Sequence, residues 1–159
     1  MTSEKQIFDN PTSWVRDHIK TYVESEGQKG HRWRGLPTLL LTTRGRKTGH
    51  LRRTALIYGQ DGNRFLVVAS NGGATSHPLW YLNLVAHPEV EIQVGADKWV
   101  AHARTATAEE KPALWQVMSQ IFPQYNAYTV KAAKAGREIP LIILEPVKQI
   151  EGETDDRGI

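Results

Sequence analysis

Apolar residues recur at three- and four-residue spacing through Trp14, Val15, Ile19, Tyr22 and Val23, with His18 on or beside the stripe. That spacing predicts an amphipathic helix over 10–26, with Asn10 as N-cap and Pro11 at the first helical position. The period is lost over 27–35, which reads as a loop. Extended runs follow at 37–43, 51–58 and 64–70, separated by a glycine-punctuated hairpin tip at 44–49 and by Asp61-Gly62-Asn63, a strong hairpin turn signal. After the flexible stretch Asn71-Gly72-Gly73-Ala74, Pro78 opens a short helix that stops before Pro88. Residues 89–94 and 98–103 alternate polar and apolar around Gly95-Ala96-Asp97, a second hairpin. Thr107 and Glu110 form a capping box ahead of Leu114, Trp115, Val117, Met118, Ile121 and Phe122 on one helical face. A shorter helix is expected over 124–135, a last strand over 139–145 and a polar, acidic tail over 147–159. About six mainly antiparallel strands with inserted and flanking helices predict an α+β barrel and a single domain over 1–159. No βαβ alternation and no Gly-x-Gly-x-x-Gly after a strand point to a dinucleotide fold.

The 159 residues suffice for a core without staples, and the absence of cysteine excludes disulfides, thiolate nucleophiles and iron–sulfur clusters. No apolar run approaches the ~20 residues of a membrane span. The N-terminus has no apolar signal core, so a cytoplasmic protein is expected. The six histidines show no metal-ligand spacing, and no metal site is expected.

The net charge of +3 matters less than its distribution. Arg44, Arg46, Lys47, Arg52 and Arg53 cluster on and beside one hairpin tip. They suit a phosphate or carboxylate ligand, or else a solvated edge that blocks aggregation. The Gly45-Arg46-Lys47-Thr48 stretch lacks the earlier glycine and the following helix of a P-loop. Ser70, Asn71, Gly72 and Gly73 precede a helix start, a combination able to cradle an anion or simply to connect two elements. Trp80 and Asn83 share a helical face, as do Tyr125 and Tyr128, and either pair could line a ligand or pack. No nucleophile elbow or acid pair stands out, which suits chemistry supplied by a cofactor.

In order and spacing, Arg44-Gly45-Arg46-Lys47-Thr48-Gly49, Arg52, the 68–73 segment, His77-Pro78-Leu79-Trp80-Tyr81-Leu82-Asn83, Pro88, Tyr125, Tyr128 and Ile139-Pro140 resemble one family. The composite, spanning about 37–146, is similar to the deazaflavin-dependent nitroreductases, which use coenzyme F420. The resemblance implies a split β-barrel of the flavin-reductase type. It implies a deazaflavin ring in a groove of Thr54, Leu56, Ala69, Ser70, Asn71, Gly72, Gly73, Pro78, Leu79, Trp80 and Asn83. Arg46, Lys47, Thr48 and Arg52 would hold the anionic phosphate and glutamate tail. Trp14, Tyr125 and Tyr128 would contact substrate, with Tyr128 the candidate hydrogen-bond or proton donor. Substrates implied are small electron-poor molecules: nitroaromatics, quinones and activated alkenes such as coumarin-like lactones. Asn71 stands where many relatives carry a basic residue, and Lys131 where some carry an aromatic one. The first helix, with Trp14, is a candidate lid or a weak peripheral contact at the inner face of the cell membrane, in a protein expected to be a monomer. The rival readings are an FMN oxidoreductase on the same barrel and a nucleic-acid module using the basic hairpin. The second lacks aromatics interleaved with the charges.

Overall fold

The computed structural model describes residues 6–150. They carry nine strands and four α-helices: β1 (Ile7–Asp9), α1 (Ser13–Glu24), β2 (Arg32–Trp33), β3 (Leu36–Arg44), β4 (Leu51–Ile57), β5 (Gly59–Asp61), β6 (Arg64–Val68), α2 (Leu79–Ala86), β7 (Glu89–Val94), β8 (Asp97–Thr105), α3 (Lys111–Ile121), α4 (Gln124–Lys134) and β9 (Leu141–Gln149). The sheet order is β1-β4-β3-β7-β8-β9-β6-β5, with β2 on β3. Every pairing is antiparallel except β1 with β4. The expected α+β architecture stands; the strand number of about six does not. The three additions, β1, β2 and β5, are each two or three residues long, too short to show a period.

Which strands alternate follows from what covers them. Leu39 and Leu41 of β3, Phe65 and Val67 of β6, and Ile142 and Leu144 of β9 fill the barrel with Val90, Ile92, Ala101 and Ala103. The opposite face of β3 presents Leu40 to Ile19 and Tyr22 of α1. The outer faces of β6 and β9 present Leu66, Val68, Leu141 and Ile143 to Leu114 and Met118 of α3 and Tyr125 of α4. Strands covered on both faces read as continuous apolar runs, whereas β7, with one solvated face, alternates. α2 plugs one end through Leu84, with Trp80 and Tyr81 against the same core.

Two boundaries differ from expectation for identifiable reasons. The Asn10 side-chain oxygen accepts from the Thr12 N–H (2.9 Å) and its Nδ2 donates to Thr54 Oγ1 (3.1 Å). This Asx turn absorbs Pro11, so α1 begins at Ser13 with Thr12 as N-cap. The helix stops at Glu24 because Glu26 and Gly27 turn left-handed, with φ of 53° and 82°. A Cβ at Gly27 would meet Gly95 Cα at 2.3 Å, so only glycine allows this approach to the β7–β8 turn. β9 continues three residues into the stretch expected as tail, where Lys148 and Gln149 pair with Val100 and Trp99 past a bulge beside Pro146. Residues 151–159 of the expected tail lie outside the described residues.

Tyr22 locks α1 to the barrel. Its hydroxyl lies 3.0 Å from Thr38 O and 3.3 Å from Gln93 O and accepts the Gly95 N–H at 2.7 Å. Burial pushes this phenol up to about 12, so it remains a neutral donor. The other end of α1 carries the exposed Trp14.

Candidate active site

The barrel is split where β4 and β6 approach without sharing a ladder. A cavity of about 340 Å³ opens there, between Ala55, Leu56 and Ile57 of β4 and Val68 at the end of β6. Three further elements wall it: Trp14, Val15 and His18 of α1; Trp33 of β2; and Phe122, Tyr125 and Tyr128 in and beside α4. Ser70, Asn71, Gly72, Pro78 and Trp80 close the remaining side. The lining is aromatic and apolar, with the His18 imidazole as its one ionisable side chain besides the tyrosines. His18 Nε2 sits 2.7 Å from the Gly30 carbonyl, which orients the ring.

A second cavity of about 480 Å³ shares Asn71, Pro78 and Trp80 with the first. Its wall mixes polar and charged residues, Asp9, Asn10, Thr43, Arg52, Arg53, Thr54, Ser76, His77 and Asn83, with the apolar Phe8, Pro11 and Leu79. A largely apolar chamber thus adjoins, across Asn71, Pro78 and Trp80, a groove that carries the Arg52 guanidinium. Such a pair suits a ligand with a planar ring at one end and anionic groups at the other.

The two cavities account for Trp14, Arg52, Thr54, Leu56, Ser70, Asn71, Gly72, Pro78, Leu79, Trp80, Asn83, Tyr125 and Tyr128 among the residues singled out by sequence. Five others fall elsewhere. Arg46, Lys47 and Thr48 stand exposed on the β3–β4 tip. Thr48 Oγ1 accepts the His50 N–H at 3.1 Å and so shapes the tip itself. Ala69 is fully buried, its N–H held by Pro140 O and its carbonyl by Arg137, so it supports the groove from beneath. Gly73 is where the 70–74 turn packs on α4. With φ of 78°, a Cβ there would meet Tyr128 O at 2.9 Å and the Lys131 side chain at 3.1 Å.

Asn83, although it lines the groove, uses its amide for architecture. Its oxygen accepts the Arg46 N–H (3.1 Å) and its Nδ2 donates to Thr43 Oγ1 (3.3 Å). A buried amide of α2 therefore ties the basic tip to the groove.

Of the five clustered cations, Arg53 is neutralised by a two-pronged pair with Asp9 of β1, at 2.7 and 3.2 Å. Arg52 lies over the Phe8 ring, 5.5 Å from its centroid. Arg46, Lys47 and Arg52 pair with no carboxylate among the described residues. They leave positive charge available for an anion.

Tyr125 is 5% exposed, and burial, reinforced by Tyr128, raises its phenol above the ordinary range. Tyr128 is half-buried on the same wall, 6.3 Å from Phe122 between ring centroids. Sequence reasoning missed His18, Trp33 and Phe122 as cavity residues. Phe122 was visible as part of an apolar face; His18 and Trp33 carried no signal of the cavity.

Comparison with known proteins agrees with this geometry. The model of the F420H2-dependent quinone reductase family matches residues 14–146. An F420H2-dependent quinone reductase of Mycobacterium tuberculosis is 38% identical over 133 residues, 82% of this chain and 88% of that protein. A solved structure of an F420H2-dependent reductase is 34% identical, with a TM-score of 0.62, covering 69% of this chain and 94% of the other. A further solved structure, described only as a domain-swapped dimer, is 32% identical with a TM-score of 0.66, covering 86% of this chain and 100% of the other. The chain belongs to the F420H2-dependent quinone reductase family. It is an F420H2-dependent reductase, and coenzyme F420 is its cofactor. The family assignment favours the deazaflavin reading over the FMN alternative. No helix among the described residues is long and apolar enough to cross a membrane.

Proposed function

We propose that the chain reduces quinones, and with them other small electron-poor molecules such as nitroaromatics and activated alkenes, in the aromatic cavity of the barrel split. The observation that carries this reading is that the cavity and the groove share Asn71, Pro78 and Trp80 and so lie side by side. One ligand can lie across both, and a second flat molecule can enter from the Trp14–Trp33 side.

In this reading the coenzyme's tail lies along Arg52 and the exposed Arg46 and Lys47, while its ring end reaches Leu56, Ser70–Gly72 and Trp80. When bound, reduced F420 supplies the hydride. The chain's residues then have three tasks. Trp14, Trp33 and Phe122 stack flat substrates and exclude water from the face that receives hydride. Pro78, Trp80 and the 70–74 turn fix the opposite wall. Tyr128 donates a hydrogen bond to the substrate oxygen on which negative charge collects, a bond that strengthens as the charge grows. With a quinone, one hydride and one proton together give the hydroquinone. Tyr125, pinned and buried against Phe122 (4.9 Å between ring centroids), holds the position of the Tyr128 turn of α4.

The test is consumption of F420H2 by the purified protein, followed by absorbance, with a naphthoquinone, a nitroimidazole and an unsaturated lactone offered separately. The reading requires turnover of the quinone at rates well above the uncatalysed reaction. Coenzyme binding without oxidation by any of the three would contradict it.

A further inference from the structure

Arg137 lies between α4 and β9 and is 8% exposed, yet no carboxylate among the described residues pairs with it. Its guanidinium is committed to one loop. Nη2 donates to Ala69 O at 2.5 Å, Nη1 to Ser70 O at 3.1 Å and Ala74 O at 2.8 Å, and Nε to His77 Nδ1 at 3.0 Å. Because arginine only donates, His77 Nδ1 must be an acceptor, and the imidazole proton resides on Nε2. Desolvation lowers the pKa of Arg137, and desolvation followed by the Arg137 charge lowers that of His77. A buried cation held only by neutral acceptors is costly, so a simple packing role is a poor account of it.

What the four bonds enclose is unusual backbone. Asn71, Gly72 and Gly73 run left-handed in succession, with φ of 49°, 64° and 78°. Their own bonds are three: Gly73 N–H to Ser70 O at 2.9 Å, Ala74 N–H to Asn71 O at 3.0 Å and Asn71 Nδ2 to Ser76 O at 3.0 Å. Left-handed residues are strained as a run unless the surroundings hold them. Arg137 grips the carbonyls before and after that run, so its planar fork sets the distance between the two ends.

We propose that Arg137 is a positioning residue for the coenzyme. By clamping Ala69, Ser70, Ala74 and His77 it holds the left-handed turn in the shape that walls the groove. Coenzyme affinity then depends on the geometry of the fork and not on the charge alone. The inference rests on the reading that this turn borders the coenzyme. It adds the element that makes the turn rigid, which touches neither coenzyme nor substrate.

The experiment compares wild type with Arg137→Met, Arg137→Lys and Gly72→Ala. It measures F420 affinity by fluorescence titration of the coenzyme-free protein, backbone hydrogen exchange, and kcat and KM for F420H2. Gly72 lines the cavity, and a Cβ there meets no protein atom within 4 Å, but at φ of 64° alanine strains the turn, so Gly72→Ala probes the turn and the groove together. Expected are at least about tenfold weaker coenzyme binding in both Arg137 variants, a KM effect that exceeds the kcat effect, and faster exchange at 71–74 with β6 and β9 amides unchanged. The lysine variant keeps the charge and should not restore affinity. Should Arg137→Met fail to fold, Arg137→Lys carries the test. Wild-type affinity in Arg137→Lys, or exchange accelerated in β6 and β9 as much as in 71–74, overturns the inference. If Gly72→Ala weakens binding while the Arg137 variants do not, the groove assignment stands and the role of Arg137 falls. If all three variants bind as wild type, the groove assignment itself is wrong.

Discussion

Trp14 of α1 stacks on Trp33 of β2, ring centroids 5.7 Å apart and planes inclined by 22°. The Arg34 guanidinium lies over the Trp33 ring at 4.8 Å. A helix and a hairpin that share no ladder thus meet through two aromatic planes at the cavity wall. Truncating Trp33 to alanine removes a stacking surface on the proposed substrate side while leaving the cationic groove intact. KM for a quinone should rise about tenfold, or ~1.4 kcal/mol, with F420 affinity within about twofold of wild type. Steady-state kinetics with a parallel coenzyme titration decides this, and an equal loss in both would place Trp33 in the coenzyme site instead.

Tyr128→Phe keeps the ring against Phe122 and removes only the hydroxyl. Turnover of quinone at saturating F420H2 should fall at least about tenfold, with coenzyme affinity unchanged. Unaltered kcat would assign protonation to solvent and leave Tyr128 a packing residue.

Arg46 and Lys47 are exposed, and Arg46 is anchored through its backbone to Asn83. Replacing either with alanine should weaken binding of intact coenzyme by about 1–3 kcal/mol. The loss should shrink for a coenzyme fragment without phosphate and glutamates, and added salt should weaken the intact coenzyme more than the fragment. Identical losses for coenzyme and fragment would mean that the tip acts by shape.

Glu110 provides a pH-dependent stability signal away from the site. Its carboxylate takes two hydrogen bonds from Arg104, each 2.8 Å, and one from the Thr107 N–H at 2.9 Å. The Arg104 bonds foremost, then the Thr107 amide, hold its pKa down to about 2 from 4.5. A depressed folded-state pKa means that the unfolded chain takes up the proton first. The pair's contribution is therefore present above 4.5 and lost as pH falls through about 2. The difference in melting temperature between wild type and Glu110→Gln should shrink over that interval, and a constant difference would refute the linkage.

Legibility in the sequence followed covering and length. The apolar runs of β3, β6 and β9 and the alternation of β7 announced themselves because burial on two faces or one leaves that pattern. The Thr107–Glu110 capping box is present bond for bond. β1 was invisible at three residues, and with it went the Asp9 that neutralises Arg53. Asn83 suggested a ligand contact through its spacing from Trp80, yet its amide is consumed by Arg46 and Thr43. Nothing local marks Arg137 as a buried clamp, because its acceptors lie 60 to 68 positions earlier. Spacing reports which residues share an element's face; it does not report which distant backbone a side chain will hold.

The central claim is that the paired aromatic and cationic cavities form one site fitted to a deazaflavin with an anionic tail. Parallel titrations of the purified protein with F420 and with FMN, each followed by fluorescence, test it most directly. The account predicts saturable F420 binding at least about tenfold tighter than FMN, weakened by salt and by loss of Arg46 or Lys47. FMN binding as tight as or tighter than F420 binding would contradict it.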